Sequence, residues 1–225
     1  MAFERLSDGS LDYQPCRYGK SKLLFRGPKK RLDSGYVAFL GGTETYGKFV
    51  ERPYPEILGG MLGRTALNLG AVNAGVDTFH DDPTVLGLAR DADLRVIQLS
   101  GAQNMSNRFY MVHPRRNDRF LKASEALQTL YPHVDFTDFN FTGHLLKTLE
   151  AGDPAAFARV VAELKTAWVH RMATILDAIG GEVLLLWMSD RPPDATTNST
   201  ADADPLFVDR DMLRALLPKT SGIVE

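Results

Sequence analysis

The chain reads as an α/β protein with a parallel sheet wrapped by helices, and three observations predict this. Short apolar runs recur along its length, each followed by a glycine turn or a helix-start signal. One of them, from Val183 to Met188, is apolar almost without interruption, as strands are in parallel sheets with both faces covered. Between the runs lie segments of helical spacing, and the alternation βαβαβ…αβ…αβ calls for right-handed crossovers.

Residues 1–35 predict an irregular arm. Arg17, Lys20, Lys22, Arg26, Lys29, Lys30 and Arg31 crowd around Leu23, Leu24 and Phe25, so a few apolar side chains pack on the sheet edge while the cations face solvent or an anion. The first strand covers residues 36–40. Pro55 then opens a helix with Leu58, Met61 and Leu62 turned inward, and Gly63 stops it. Residues 66–69 form the second strand. Asp82 and Pro83 supply an N-cap and a first helical position for a short helix ending at Arg90, and residues 94–99 form the third strand. Asp153 and Pro154 repeat the start signal. From there Phe157, Val161, Leu164, Trp168, Met172, Ile175 and Leu176 recur at helical spacing until Gly180 and Gly181. Residues 183–188 make the fourth strand, 190–205 an exposed loop rich in proline, threonine and aspartate, 209–217 a helix, and 221–224 the opening of a fifth strand.

A length of 225 residues fits an arm, 1–35, and one domain, 36–225, and a hydrophobic share of 44% supplies its core. The 26 basic residues are offset by 28 acidic ones, which argues against nucleic acid as a partner. No apolar run approaches the ~18 residues of a membrane span, and the N-terminus lacks the pattern of a secretory leader, so a cytoplasmic protein is expected. Cys16 is the lone cysteine, which excludes an internal disulfide framework and a cysteine-based metal cluster; no metal or cofactor is expected.

Two of the strands end in glycine-rich turns, at Gly41–Gly47 and from Gly70 to Gly75, where ligands of open α/β sheets sit. GGTETYG at 41–47 resembles the GDSLTxG block that opens the SGNH, or GDSL, hydrolases. NLGAVNAGVD at 68–77 is similar to that family's second block, and Ser100-Gly101-Ala102-Gln103-Asn104 falls where its GxND block lies. The resemblance implies a three-layer αβα sandwich with a flavodoxin-like sheet. It also implies Thr43 as nucleophile, with the N–H groups of Thr43 and Gly70 and the amide of Gln103, or of Asn104, as oxyanion donors. Gly42, Glu44 and Asn73 would line the ligand site.

Two departures from that pattern count against catalysis. Gly42 replaces the aspartate of the motif and Thr43 its serine, whose methyl-bearing replacement crowds an attack. The family's base, a histidine in a DxxH motif after the fifth strand, has no counterpart, since none of the five histidines lies beyond residue 170. The residues therefore leave open a binding protein with a retained pocket, or an ester hydrolase or acyltransferase served by a histidine beyond residue 225. A fifth strand without a following helix would also leave an uncovered edge, through which an oligomer could form.

After the third strand, Asn104, Asn107, Arg108, Phe109, Tyr110, Arg115 and Arg116 fall in what reads as a long loop. Amides and arginine forks suit an anionic ligand, and an aromatic suits a sugar face. The expected partner is a small-molecule or carbohydrate ligand. This segment and CRYGKSKLLFRGPKKRL also resemble a family of alphaproteobacterial proteins, a resemblance that implies no substrate.

Overall fold

A computed structural model describes residues 11–225. Its elements in chain order are β1 (Tyr36–Leu40), α1 (Thr43–Tyr46), α2 (Tyr54–Leu62), β2 (Thr65–Asn68), α3 (Val76–His80), α4 (Pro83–Arg90), β3 (Leu94–Gln98), β4 (Tyr110–His113), β5 (Arg116–Ala123), α5 (Glu125–Leu130), α6 (Thr142–Gly152), α7 (Pro154–Ile179), β6 (Val183–Leu186), α8 (Arg210–Leu216) and β7 (Gly222–Val224). Five strands form a parallel sheet in the order β2-β1-β3-β6-β7, and helices flank it in a three-layer αβα arrangement.

The start signals act as their chemistry dictates. The Asp82 carboxylate accepts from the N–H groups of Thr84 and Val85, and Asp153 accepts from Ala155 and Ala156, so each aspartate satisfies orphan donors ahead of a proline-led helix. Gly63 ends α2 in the left-handed region at φ 60°. One stripe of α7, including Phe157, Leu164, Trp168, Met172 and Ile175, is buried, and α3, α4, α6 and α8 pack against this helix.

The two sheet faces are covered unequally. Tyr36, Ala38, Leu40, Leu67, Ile97, Val183 and Leu185 point into the main core under α7. The alternate residues form rows on the opposite face, Ala66–Val37–Leu94 and Asn68–Phe39–Val96–Leu184–Gly222, because partners in a parallel register share a side. Only β1→β2 steps outward; the later crossovers run the other way and set their helices on the core face. On the opposite face α2 covers β1 and β2, with Tyr54 edge-on to Phe39 at 5.8 Å.

Several expectations need correction. Leu58, Met61 and Leu62 are exposed rather than inward, because α2 approaches the sheet through Pro55 and Gly59, where a Cβ would lie 2.7 Å from that of Ala66. β6 is not covered on both faces: Val183 and Leu185 are buried, but Leu184 and Leu186 are only half-buried. The segment read as a long loop contains an antiparallel hairpin, β4–β5, and α5 and α6 follow it. Residues 190–205 are irregular but organised. Arg191 lies 4.9 Å above the Trp187 ring and donates to the carbonyls of Ala195, Ala203, Pro205 and Val208, while Thr197 is fully buried.

In the arm, Tyr18, Leu23 and Phe25 join the core, and Cys16 bridges Phe25. The part of the arm at residues 1–10 lies outside the described residues.

Candidate functional site

At the carboxyl ends of β1 and β3 the chain makes two sharp exits, and a side chain from β3 holds them together. The Gln98 Oε1 accepts from Gly42 N–H at 3.1 Å, Thr45 N–H at 3.2 Å and the Thr45 hydroxyl at 2.5 Å. Its Nε2 donates to Glu44 at 2.8 Å. Since the Thr45 proton goes to Gln98, Thr45 Oγ1 accepts from the Tyr54 hydroxyl at 3.0 Å, and burial pushes the Tyr54 phenol up to about 12, which keeps it a donor. Gly41 makes this clamp possible, because a Cβ there would sit 2.1 Å from Thr45 Oγ1.

The clamp sets Thr43 at the mouth of a cleft of about 250 Å³, lined also by Gly42, Glu44, Asn73, Gln98, Ser100, Gln103, Asn104, Asp118, Met188 and Asp204. The Thr43 hydroxyl accepts from Asn73 N–H at 3.2 Å. Asn73 sits in the left-handed region at φ 58°, which asparagine tolerates, and its side-chain amide donates to Asp118 Oδ2 at 3.1 Å. Behind it the fully buried Asn117 accepts from Gly75 N–H, Thr78 N–H and the Thr78 hydroxyl, fastening the β2–α3 loop to β5.

On the far wall Gln103 donates to Asp204 at 3.1 Å, and the Tyr110 hydroxyl donates to the Gln103 carbonyl at 2.6 Å. The Trp168 indole N–H donates to the Ser100 carbonyl at 2.9 Å, and Asn104 Oδ1 accepts from the Thr142 hydroxyl.

Thr43, Gly42, Glu44, Asn73, Gln103 and Asn104 are thus brought together. Other residues named from the sequence are not. The Gly70 N–H is held by Asn68 Oδ1 at 2.9 Å, and Gly70 packs so closely on α1 that a Cβ would lie 2.3 Å from Tyr46 N; it is not in the cleft lining. Asn107 spends its side chain on Phe109 N–H, Tyr110 N–H and the Met105 carbonyl. The backbone N–H of Arg108 meets Glu163, and its guanidinium lies over Phe109. Arg115 faces a separate cleft with Lys20 and Lys22. Arg116 comes nearest, its Nε 4.0 Å from Asp118 Oδ1.

Sequence reasoning missed Gln98, Asp118 and Asp204, and named Ser100 only as the start of the third block. Gln98 carried the one usable signal, a polar residue at the carboxyl end of an apolar strand.

The charge of the cleft is negative. Among the described residues Glu44, Asp118 and Asp204 line it and no Arg or Lys does; in its wall Gln103 Oε1 and Asp118 Oδ1 are buried with no hydrogen-bond donor, the Arg116 Nε standing off Asp118 Oδ1 at 4.0 Å. No histidine lines it either; His80 pairs with Asp81, and His113 accepts from Arg115 N–H. Among the described residues no group of three or more His, Cys, Asp or Glu could hold a metal ion, and no helix is long and apolar enough to cross a membrane. A larger cleft of about 470 Å³ runs along β2 between α2 and the arm, away from these groups.

A family model described as "Domain of unknown function (DUF6473)" matches residues 1–225. No curated protein matches the sequence. Among solved structures the chain is similar to the crystal structure of a lipase, Lip_vut3, from a goat rumen metagenome. The identity is 13% and the TM-score 0.40, over 84% of this chain and 80% of that one.

Proposed function

The chain belongs to the DUF6473 family, and from that premise we propose that it is a binding protein on an SGNH-hydrolase-like scaffold, which holds a small hydroxyl-bearing ligand, such as a carbohydrate or carbohydrate-linked ester, in the Thr43 cleft. The observation that carries this reading is the environment of Thr43. Its oxygen accepts a backbone N–H, no histidine or lysine among the described residues lines the cleft, and the carboxylates that do are turned to other partners, Glu44 to Gln98, Asp118 to Asn73 and Asp204 to Gln103. A hydroxyl so placed is a hydrogen-bonding group for a ligand, not an activated nucleophile.

Charge narrows the ligand class. Three lining carboxylates, and the Gln103 Oε1 left without a donor in the wall, disfavour an anion and favour a ligand rich in donors. The cleft lies at or below the ~300 Å³ that begins the usual range of ligand pockets, so the ligand is small.

Two measurements test this. Titration of methyl glycosides, acetylated glycosides and inorganic phosphate, followed by amide shifts, should move Thr43, Asn73 and Gln98 with the sugars and not with phosphate. Hydrolysis of 4-nitrophenyl acetate should be the same for the wild type and Thr43→Ala. Thr43-dependent turnover would instead establish an ester hydrolase or acyltransferase, with Glu44, Asp118 or a histidine beyond residue 225 as the base to be sought by mutation. Phosphate binding in preference to sugars would remove the assigned ligand class.

A further inference from the structure

The sheet face opposite the main core is only half covered. α2 lies over β2 and β1, whereas over β3, β6 and β7 the residues of that face are Leu94, Val96, Gln98, Leu184, Leu186, Gly222 and Val224. None of these is charged. Leu94, Val96, Leu184 and Leu186 are only half-buried, and Val224 is 49% exposed. Parallel sheets are normally buried on both faces.

Beside this trough stands a ridge. Ile57, Leu58, Met61 and Leu62 of α2 are 41%, 37%, 77% and 55% exposed. At 100° per residue, Pro55 and Gly59 point down to the sheet, and Ile57 and Met61 point away from it. Leu58 and Leu62 lean to the side opposite Glu56, Gly60 and Gly63, which line the cleft on the β2 side. That opposite side is the trough side.

We infer that this face is a homodimer interface in which two copies meet about a two-fold axis, α2 of each filling the bare half of the other's sheet. Ridge and trough lie side by side on one surface, which is what an isologous contact requires. The dimensions agree: a helix with its side chains is about 10–12 Å across, and three strands at ~4.8 Å spacing present a floor of about that width. The two α2 helices would form one shared layer between two sheets. Ile57 and Met61 would contact the partner's floor, and Leu58 and Leu62 the neighbouring helix. Apart from Gln98, which is already hydrogen-bonded to Glu44, Gly42 and Thr45, the floor holds no polar side chain to desolvate. The floor, about 14 Å across and about 13 Å along its strands, and the ~14 Å ridge of α2 present a few hundred Å² per copy, which puts the contact among small interfaces, so weak and concentration-dependent association is expected.

Sedimentation velocity from about 1 to 200 μM tests this. The wild type should approach twice the chain mass. Met61→Glu on the ridge and Val224→Glu on the floor should each weaken association at least about 100-fold, the cost of burying an unpaired charge. Both sites are exposed in one copy and leave its core untouched. Leu121→Glu, at an equally exposed leucine on β5, should change nothing. In the wild type, peroxide oxidation of Met61 should slow with concentration, while that of Met111, 45% exposed on β4, should not. A monomer at every concentration would overturn the inference. So would a dimer that survives Met61→Glu, or one that Met61→Glu breaks and Val224→Glu does not.

Discussion

Replacing Gln98 with leucine removes the acceptor that joins β3 to the β1–α1 turn, and its cost can be worked group by group. Thr45 is fully buried, so its N–H loses a partner that water cannot replace, at about 1–3 kcal/mol. Gly42 is half-buried beside the cleft; water partly serves its N–H, and about 1 kcal/mol is a ceiling there. The Thr45 hydroxyl can turn to the Tyr54 oxygen, and Glu44 is exposed, so neither adds much. The total is roughly 1–4 kcal/mol, or a fall in Tm of roughly 2–15 °C for a domain of this size. Urea unfolding followed by fluorescence of the buried Trp168 and Trp187 reads the loss. Thr45→Val should cost about 1 kcal/mol, and the double variant less than the sum, because both break one clamp. A loss below about 1 kcal/mol for Gln98→Leu, with the Thr43 and Asn73 amide shifts unchanged, would refute the idea that this amide holds the cleft.

Arg191→Lys keeps the charge but cannot serve four carbonyls of residues 195–208 at once, so limited proteolysis within 190–205 should accelerate at least tenfold while the core helices stay resistant. Asn117→Ala strands three donors of Gly75 and Thr78 in a fully buried site and should lower stability by about 2–4 kcal/mol, with the largest amide shifts in 73–78 and the hairpin. At Asp209, burial pushes the carboxyl up, but bonds from Lys165 and from the N–H groups of Met212 and Asp211 outweigh it and hold the group below the usual carboxylate range. A depressed folded value stabilises above the unfolded pKa of about 3.9 and is lost as pH falls through the folded one, so the advantage of wild type over Asp209→Asn should be present at pH 6 and gone near pH 2 in urea titrations.

The strands, the proline-led helices and the address of the cleft were legible because each rests on a local rule. An apolar run closed by glycine, or an aspartate before a proline, has the same meaning wherever the rest of the chain goes. β1, α4, α7 and α8 are examples, and β2 differed from its expectation by one residue. The hairpin was not legible for a related reason. Arg116, Asp118 and Arg119 break the period-2 pattern of a strand, and β5 is held instead by pairing with β4 and by the wholly buried Asn117. An asparagine that satisfies three donors looks, in sequence, like any loop asparagine.

The composition of the cleft was hidden for a further reason, since it depends on which groups are already spent. Gly70, Asn107 and Arg108 are of the right type for a ligand site, yet their N–H groups, and the Asn107 side chain, are committed to Asn68, to the backbone of 105–110 and to Glu163. The charge that lines the cleft is acidic: Glu44, Asp118 and Asp204, each held by one neutral side-chain amide, come from three distant stretches, and no local pattern could sum them. The sign of that sum separates the two ligand classes left open by the arginine-rich stretch. Arg108 and Arg115 lie elsewhere and Arg116 reaches only to 4.0 Å of Asp118, so the proposed preference for donor-rich neutral molecules over anions rests on carboxylates that the tertiary fold brings together.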